Sequence, residues 1–152
     1  MIYCSGLMEI LKEEKNGVIA AEDKAEIEGC LDRLFEDIVF DGGCLFMKTY
    51  NGQAVLNDRA NKAEFEAWYN EILINSEFPK KRITAAFAME FFTQFCERLK
   101  TVCSEKMCSV ISEDEGSWTF RFHIVREGEP LWLPGDIRNF PQPVLYEIFD
   151  GG

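Results

Sequence analysis

Residues 82–102 carry apolar side chains around too much of a helical wheel to form a surface helix. Phe87, Ala88, Met89, Phe91, Phe92, Phe95, Cys96 and Leu99 span about 200°, roughly twice the stripe that one-sided packing needs. Such a helix has to be covered from two directions, so the rest of the chain is expected to wrap around it. Arg98 projects just inside this arc, beside Phe87 and Phe91, and is expected to lay its apolar stem on the core and its guanidinium in water.

After residue 106 the period changes from that of a helix to two. In SWTFRFHIV the side chains of Trp118, Phe120, Phe122 and Ile124 alternate with Thr119, Arg121 and His123, the pattern of a strand with one face on a core. CSVISEDE precedes it across Glu115-Gly116, and residues 131–133 and 144–149 give two more strand candidates around a proline-bearing loop at 134–143.

Earlier in the chain, residues 21–40 place Ile27, Leu31, Leu34, Phe35 and Ile38 within about 100° of one another, predicting an amphipathic helix that ends at Asp41-Gly42-Gly43. Asn51-Gly52 between the apolar stretches of residues 44–56 predicts a hairpin. A second helix is expected over 61–74, opened by Asn61 with Glu64 three residues on, and burying Phe65, Trp68, Tyr69, Ile72 and Leu73; residues 76–81, with Pro79, break it. Helices first and strands later define an α+β fold, with three or four helices packed on one face of a small, mainly antiparallel sheet. No linker or repeat divides residues 1–152, so a single domain is expected.

At 152 residues and 47% hydrophobic composition the chain is long enough and apolar enough for one core. No apolar run has the length of a membrane span, and residues 1–14 lack a basic leader and a cleavage site, so a soluble, cytoplasmic protein is expected. Its six cysteines have no C-x-x-C spacing and are expected to be reduced and buried.

Specific catalytic chemistry finds no support in the motifs. G-x-S-x-G, G-x-x-x-x-G-K-[ST] and G-x-G-x-x-G are missing, and His123 is the only histidine. Without paired cysteines or a second histidine no common zinc site can be assembled, and no EF-hand loop is present, so neither metal nor cofactor is expected. His123 alternates away from the apolar row and is expected to be exposed on the sheet surface, and the terminal Gly151-Gly152 is expected to fray.

Charge is what remains. The first 41 residues hold eleven carboxylates against Lys12, Lys15, Lys24 and Arg33, a net −7 of the chain's −11. Glu28, Asp32 and Glu36 follow one another at i, i+4, with Glu22 and Glu26 beside them; such like-charged pairs weaken a lone helix by a few tenths of a kcal/mol each, so local stability does not account for them. Nucleic acid and anionic membranes are disfavoured partners, because both require a basic footprint. A basic protein is the complementary one. Trp132, Asp136, Arg138 and Phe140, in the proline-bearing segment, have the composition of an anchoring hot spot.

A small, acidic chain without catalytic motifs has the profile of a non-catalytic binding protein that neutralises a basic protein partner, most concretely an immunity protein or inhibitor of a nuclease-type bacterial toxin. Two alternatives are a small hydrolase or transferase with a thiol or carboxylate site, and a homo-oligomeric adaptor using the apolar face of residues 82–102 as its subunit contact.

Overall fold

The computed structural model of the chain describes residues 2–3, 6–7, 9, 19–36, 38–41, 43–47, 62–133 and 142–152. The Asn51-Gly52 hairpin, the Asn61 cap, Cys4, Asp136, Arg138 and Phe140 lie outside the described residues. In chain order the described elements are β1 (Ile2–Tyr3), α1 (Ala21–Leu34), β2 (Val39–Asp41), β3 (Cys44–Phe46), α2 (Lys62–Tyr69), β4 (Ile72–Leu73), α3 (Ile74–Glu77), α4 (Ala85–Val102), β5 (Lys106–Asp114), β6 (Ser117–Ile124) and β7 (Val144–Asp150). This is an α+β fold. Five strands form an antiparallel sheet in the order β1-β7-β5-β6-β4, and β2 and β3 form a separate two-stranded ribbon.

α4 is the centre, as the width of its apolar arc requires. Thr84 caps it by accepting a hydrogen bond from the Phe87 amide at 3.1 Å. One side meets the sheet: the Phe95 ring lies 4.2 Å from Phe120 and 5.6 Å from Phe122. The other meets α1 and the α3 turn, through Phe35 at 4.9 Å from Phe95 and Phe78 at 4.9 Å from Phe87. Phe91, Phe92 and Phe95 are wholly buried, so the arc is consumed within the chain. Arg98 sits at its edge, paired with Asp32 on α1 at 2.5 Å.

The β5–β6 hairpin turns at Glu115-Gly116, where φ is +49° and +88°. Two consecutive positive φ values match the right-handed twist of the strands, and glycine takes the second without strain. Asn75 fastens this turn to α3, donating to Gly116 O at 3.0 Å and accepting from the Trp118 amide at 2.8 Å. Gly151-Gly152 does not fray: the two amides donate to Glu105 O and Lys100 O, each at 3.0 Å, and a Cβ at Gly151 would lie 2.1 Å from Cys103 O.

Four expectations are corrected. α1 stops at Leu34, and Val39–Asp41 pairs instead with Cys44–Phe46. Ile38, Val39 and Phe40 are β-branched or aromatic, and they favour a strand although their spacing also suits a helix; Asp41 therefore pairs with Cys44 in a ribbon rather than ending a helix. The second helix stops at Tyr69, and Ile72 and Leu73 pair with Phe120 and Thr119 of β6. Residues 131–133 form no strand. Pro130 and Pro134 bracket them, and the Trp132 amide donates to His123 Nε2 at 3.3 Å rather than to a ladder. His123, expected at the surface, is 1% exposed because this second face of β6 is also covered.

The buried side of α2 was not the expected one. Ala63, Glu66, Ala67 and Asn70 are buried, a stripe at i, i+3, i+4, i+7, while Trp68 is 65% exposed. Two alanines let the helix approach closely, and the two polar residues join backbone edges. Glu66 Oε1 accepts from the Ile124 amide at 3.0 Å and Oε2 from the Leu45 amide at 2.8 Å. Asn70 accepts from the Met47 amide at 3.1 Å and donates to Leu45 O at 2.7 Å and Phe122 O at 3.4 Å. One turn of helix thus ties the edge of β6, beyond the end of β4, to the edge of β3. Arg126 completes the junction, 2.7 Å from Glu66 Oε1 and 2.7 Å from Gly43 O.

Candidate functional site

The amphipathic pattern of α1 buries Ile27, Cys30 and Leu31 and turns its carboxylates outward. Glu22, Glu26, Glu28, Asp32 and Glu36 are all exposed. The structure also supplies cations that the local sequence does not reveal. Lys81 lies 3.3 Å from Glu26 and is hydrogen-bonded to Asp23, which raises its pKa. Arg98 holds Asp32 and also donates to Glu28 O at 3.4 Å. Residues 21–36 carry six carboxylates and two cations; adding Lys81 and Arg98 gives −6 + 4 = −2, so this face is less anionic than its sequence. Among the described residues Glu22 and Glu28 have no ion pair, and Glu28 borders a groove with Thr93, Gln94 and Glu97.

A second surface centres on Arg121. The alternation of β6 points this side chain away from α4. There Nη1 donates to Ala67 O at 3.0 Å and Nη2 pairs with Glu71 at 3.0 Å. Its guanidinium carbon lies 4.9 Å from the Trp132 ring and 5.9 Å from the Trp68 ring, within the range of cation–π attraction. Of the four residues expected in the C-terminal segment, Trp132 is the one described, and it is half-buried against this arginine. Trp68 and Arg121 were missed as a site: the spacing assigned Trp68 to a core face, and no sequence signal brings residues 68, 121 and 132 together.

The described thiols are poor nucleophiles. Burial pushes Cys30, Cys96 and Cys108 up to about 12 and Cys44 up to about 11, with Glu77 adding to the effect at Cys30 and Glu66 at Cys44; Cys103 is also raised by burial. Cys108 and His123 are register partners on β5 and β6. Burial lowers the histidine pKa while raising that of the thiol, which disfavours a thiolate–imidazolium pair. At Glu66 burial pushes the carboxyl up, opposed by Arg126 and two backbone amides. Among the described residues no group of three or more His, Cys, Asp or Glu is placed to hold a metal ion, and no helix is long and apolar enough to cross a membrane.

Fold and surfaces together define a small α+β domain whose exposed chemistry is a carboxylate-bearing helix and an arginine-backed aromatic patch. The chain belongs to the Uncharacterized protein PM0498 family, whose model matches residues 6–150. No curated protein and no solved structure matches it.

Proposed function

We propose that this is a non-catalytic, cytoplasmic binding protein that neutralises a basic protein partner, most concretely an immunity protein or inhibitor of a nuclease-type bacterial toxin. The observation that carries the reading is the exposure of Glu22, Glu26, Glu28 and Asp32 along α1 and of Glu36 in the turn just past its end. Carboxylates so placed draw a cationic surface in at long range and fix its register on contact. A bound partner competes with Lys81 and Arg98 for Glu26 and Asp32, and meets Glu22 and Glu28 without competition from the described residues. Trp132, with Asp136, Arg138 and Phe140, then supplies short-range anchoring and slows dissociation. High thiol pKa values at the described cysteines weigh against the hydrolase or transferase alternative, and the burial of Phe91, Phe92 and Phe95 inside the chain weighs against the adaptor alternative.

The test is co-expression with the polypeptide encoded beside this chain's gene, scored by growth and by stopped-flow association of the purified pair. Glu28→Lys, Asp32→Lys and Glu36→Lys together are expected to slow association about tenfold or more at low salt and to flatten its salt dependence. An unchanged rate and salt slope for a pair that does bind would sink the assignment of α1, and the absence of any protective pairing would sink the immunity reading.

A further inference from the structure

We infer that Trp68 is an anchor for a cationic side chain, an arginine or lysine presented by a protein partner. Trp118 is 3% exposed and serves the core, whereas Trp68 is 65% exposed, the largest exposure among the large hydrophobic residues described. It is an exposed ring on a fixed base. Arg121 beneath it is tied to Ala67 O and Glu71 and is 18% exposed, so the indole is backed by a guanidinium that cannot easily swing away. Glu71 balances the Arg121 charge. A rigid aromatic with few torsions loses little entropy when it is covered, which is why such residues dominate binding hot spots.

Charge around the ring selects the occupant. Glu64, exposed, lies one helical turn before Trp68, and Glu71, also exposed, follows three residues after. Because Glu71 is already offset by Arg121, the attraction for a cation comes from the quadrupole of the outer ring face and from the chain's net charge of −11, which also repels an acidic peptide or a phosphate backbone. Leu73, 40% exposed and opposite Thr119 in register, adds an apolar contact for the stem of a long side chain. The patch also connects to the acidic helix: a cavity of about 380 Å³ is lined by Arg33 and Leu34 on α1 and by Tyr69, Glu71 and Leu73 on the patch side. One basic partner spanning that cavity touches both surfaces. The inference rests on the reading of a basic partner and assigns it a separate place of contact.

A hexa-arginine peptide serves as the probe, with hexa-glutamate as control, and binding is followed through the tryptophan indole N–H signals by NMR. The Trp68 signal, identified by its loss in Trp68→Leu, is expected to shift with hexa-arginine and to stay in place with hexa-glutamate. Trp68→Leu, which keeps apolar bulk and removes the ring, is expected to weaken hexa-arginine binding about fivefold, with the urea midpoint lowered by no more than about 0.5 M through loss of the ring's contact with Arg121. Unchanged affinity in Trp68→Leu overturns the inference. The triple reversal at Glu28, Asp32 and Glu36 separates the two surfaces: if it alone weakens binding, the α1 reading stands and the Trp68 anchor falls; if Trp68→Leu alone does so, the anchor stands and the α1 reading falls.

Discussion

Replacing Glu66 by glutamine tests the junction between the ribbon and the main sheet. Three donors converge on the carboxylate: the Ile124 amide at 3.0 Å and Arg126 Nη1 at 2.7 Å on Oε1, and the Leu45 amide at 2.8 Å on Oε2. Glutamine offers one acceptor oxygen and an NH₂ group, so at least one donor must face another N–H. An orphaned buried amide costs about 1–3 kcal/mol. Arg126 loses a charged partner but keeps Ile124 O and Gly43 O and is 18% exposed, which limits that loss to about 1 kcal/mol. Relief from holding a charge in a buried position, the cause of the raised Glu66 pKa, offsets part of both. The sum is a loss of about 2–3 kcal/mol. With an m-value of about 2 kcal/mol/M, the urea midpoint followed by circular dichroism falls by about 1–1.5 M. Amide exchange should accelerate at Leu45 and Ile124 together. The complementary change, Arg126→Met, leaves the carboxylate without its counter-charge and is expected to cost about 3–5 kcal/mol at neutral pH. Because the folded pKa of Glu66 lies above the ordinary 4.5, its favourable contribution is complete below 4.5 and is lost as pH rises through the folded value; Arg126→Met should therefore regain stability relative to the native chain on acidification. A loss under about 1 kcal/mol in Glu66→Gln, with Leu45 and Ile124 exchange unaffected, would refute the junction.

Three further outcomes follow from described contacts. Thr84→Ala removes the side-chain cap of α4 and should cost about 1 kcal/mol in urea denaturation. His123 is the only histidine and its folded pKa lies below the ordinary 6.5, so its contribution is present above 6.5 and is lost as pH falls through the folded value, with a slope of up to about 1.4 kcal/mol per pH unit; His123→Gln should remove that component when the two chains are titrated side by side. Iodoacetamide at pH 8 should leave Cys30, Cys44, Cys96 and Cys108 unmodified in the native protein and label them in urea, as read by peptide mass spectrometry; rapid native labelling of any one would contradict its raised pKa.

What was legible in the sequence was periodic hydrophobicity on a long element. Trp118, Phe120, Phe122 and Ile124 announce β6 and its inner face, and the breadth of the arc from Phe87 to Leu99 announces that α4 is covered on both sides, as its rings against Phe35 and Phe120 are. Short elements were not legible. Ile38 to Phe40 fit a helical wheel and a strand equally, and only pairing with residues 44–46 decides between them. The inner stripe of α2 is two alanines, a glutamate and an asparagine, which no measure of hydrophobicity marks as interior; its role appears only when the edges of β3 and β6 are both present. The carboxylates of α1 were placed correctly on an exposed face, but their neighbours Lys81 and Arg98 come from more than fifty residues away. His123 was misjudged because alternation gives the face of a strand and says nothing of what lies over it.

Where most sheets are joined by many repeated amide-to-carbonyl bonds, the ribbon here is moored, among the described residues, at Gly43, Leu45 and Met47 by the tips of three side chains. Main-chain bonding survives almost any exchange of residues, whereas a mooring made of Glu66, Asn70 and Arg126 is written in three codons. Substitutions along β3 leave its amides and carbonyls in place, so their cost is set by the packing of its buried side chains, while a change at any mooring point weakens the attachment of the strand from a distance. The attachment of this ribbon is thus vulnerable to single mutations outside the ribbon itself, in one turn of the helix beside it and at Arg126.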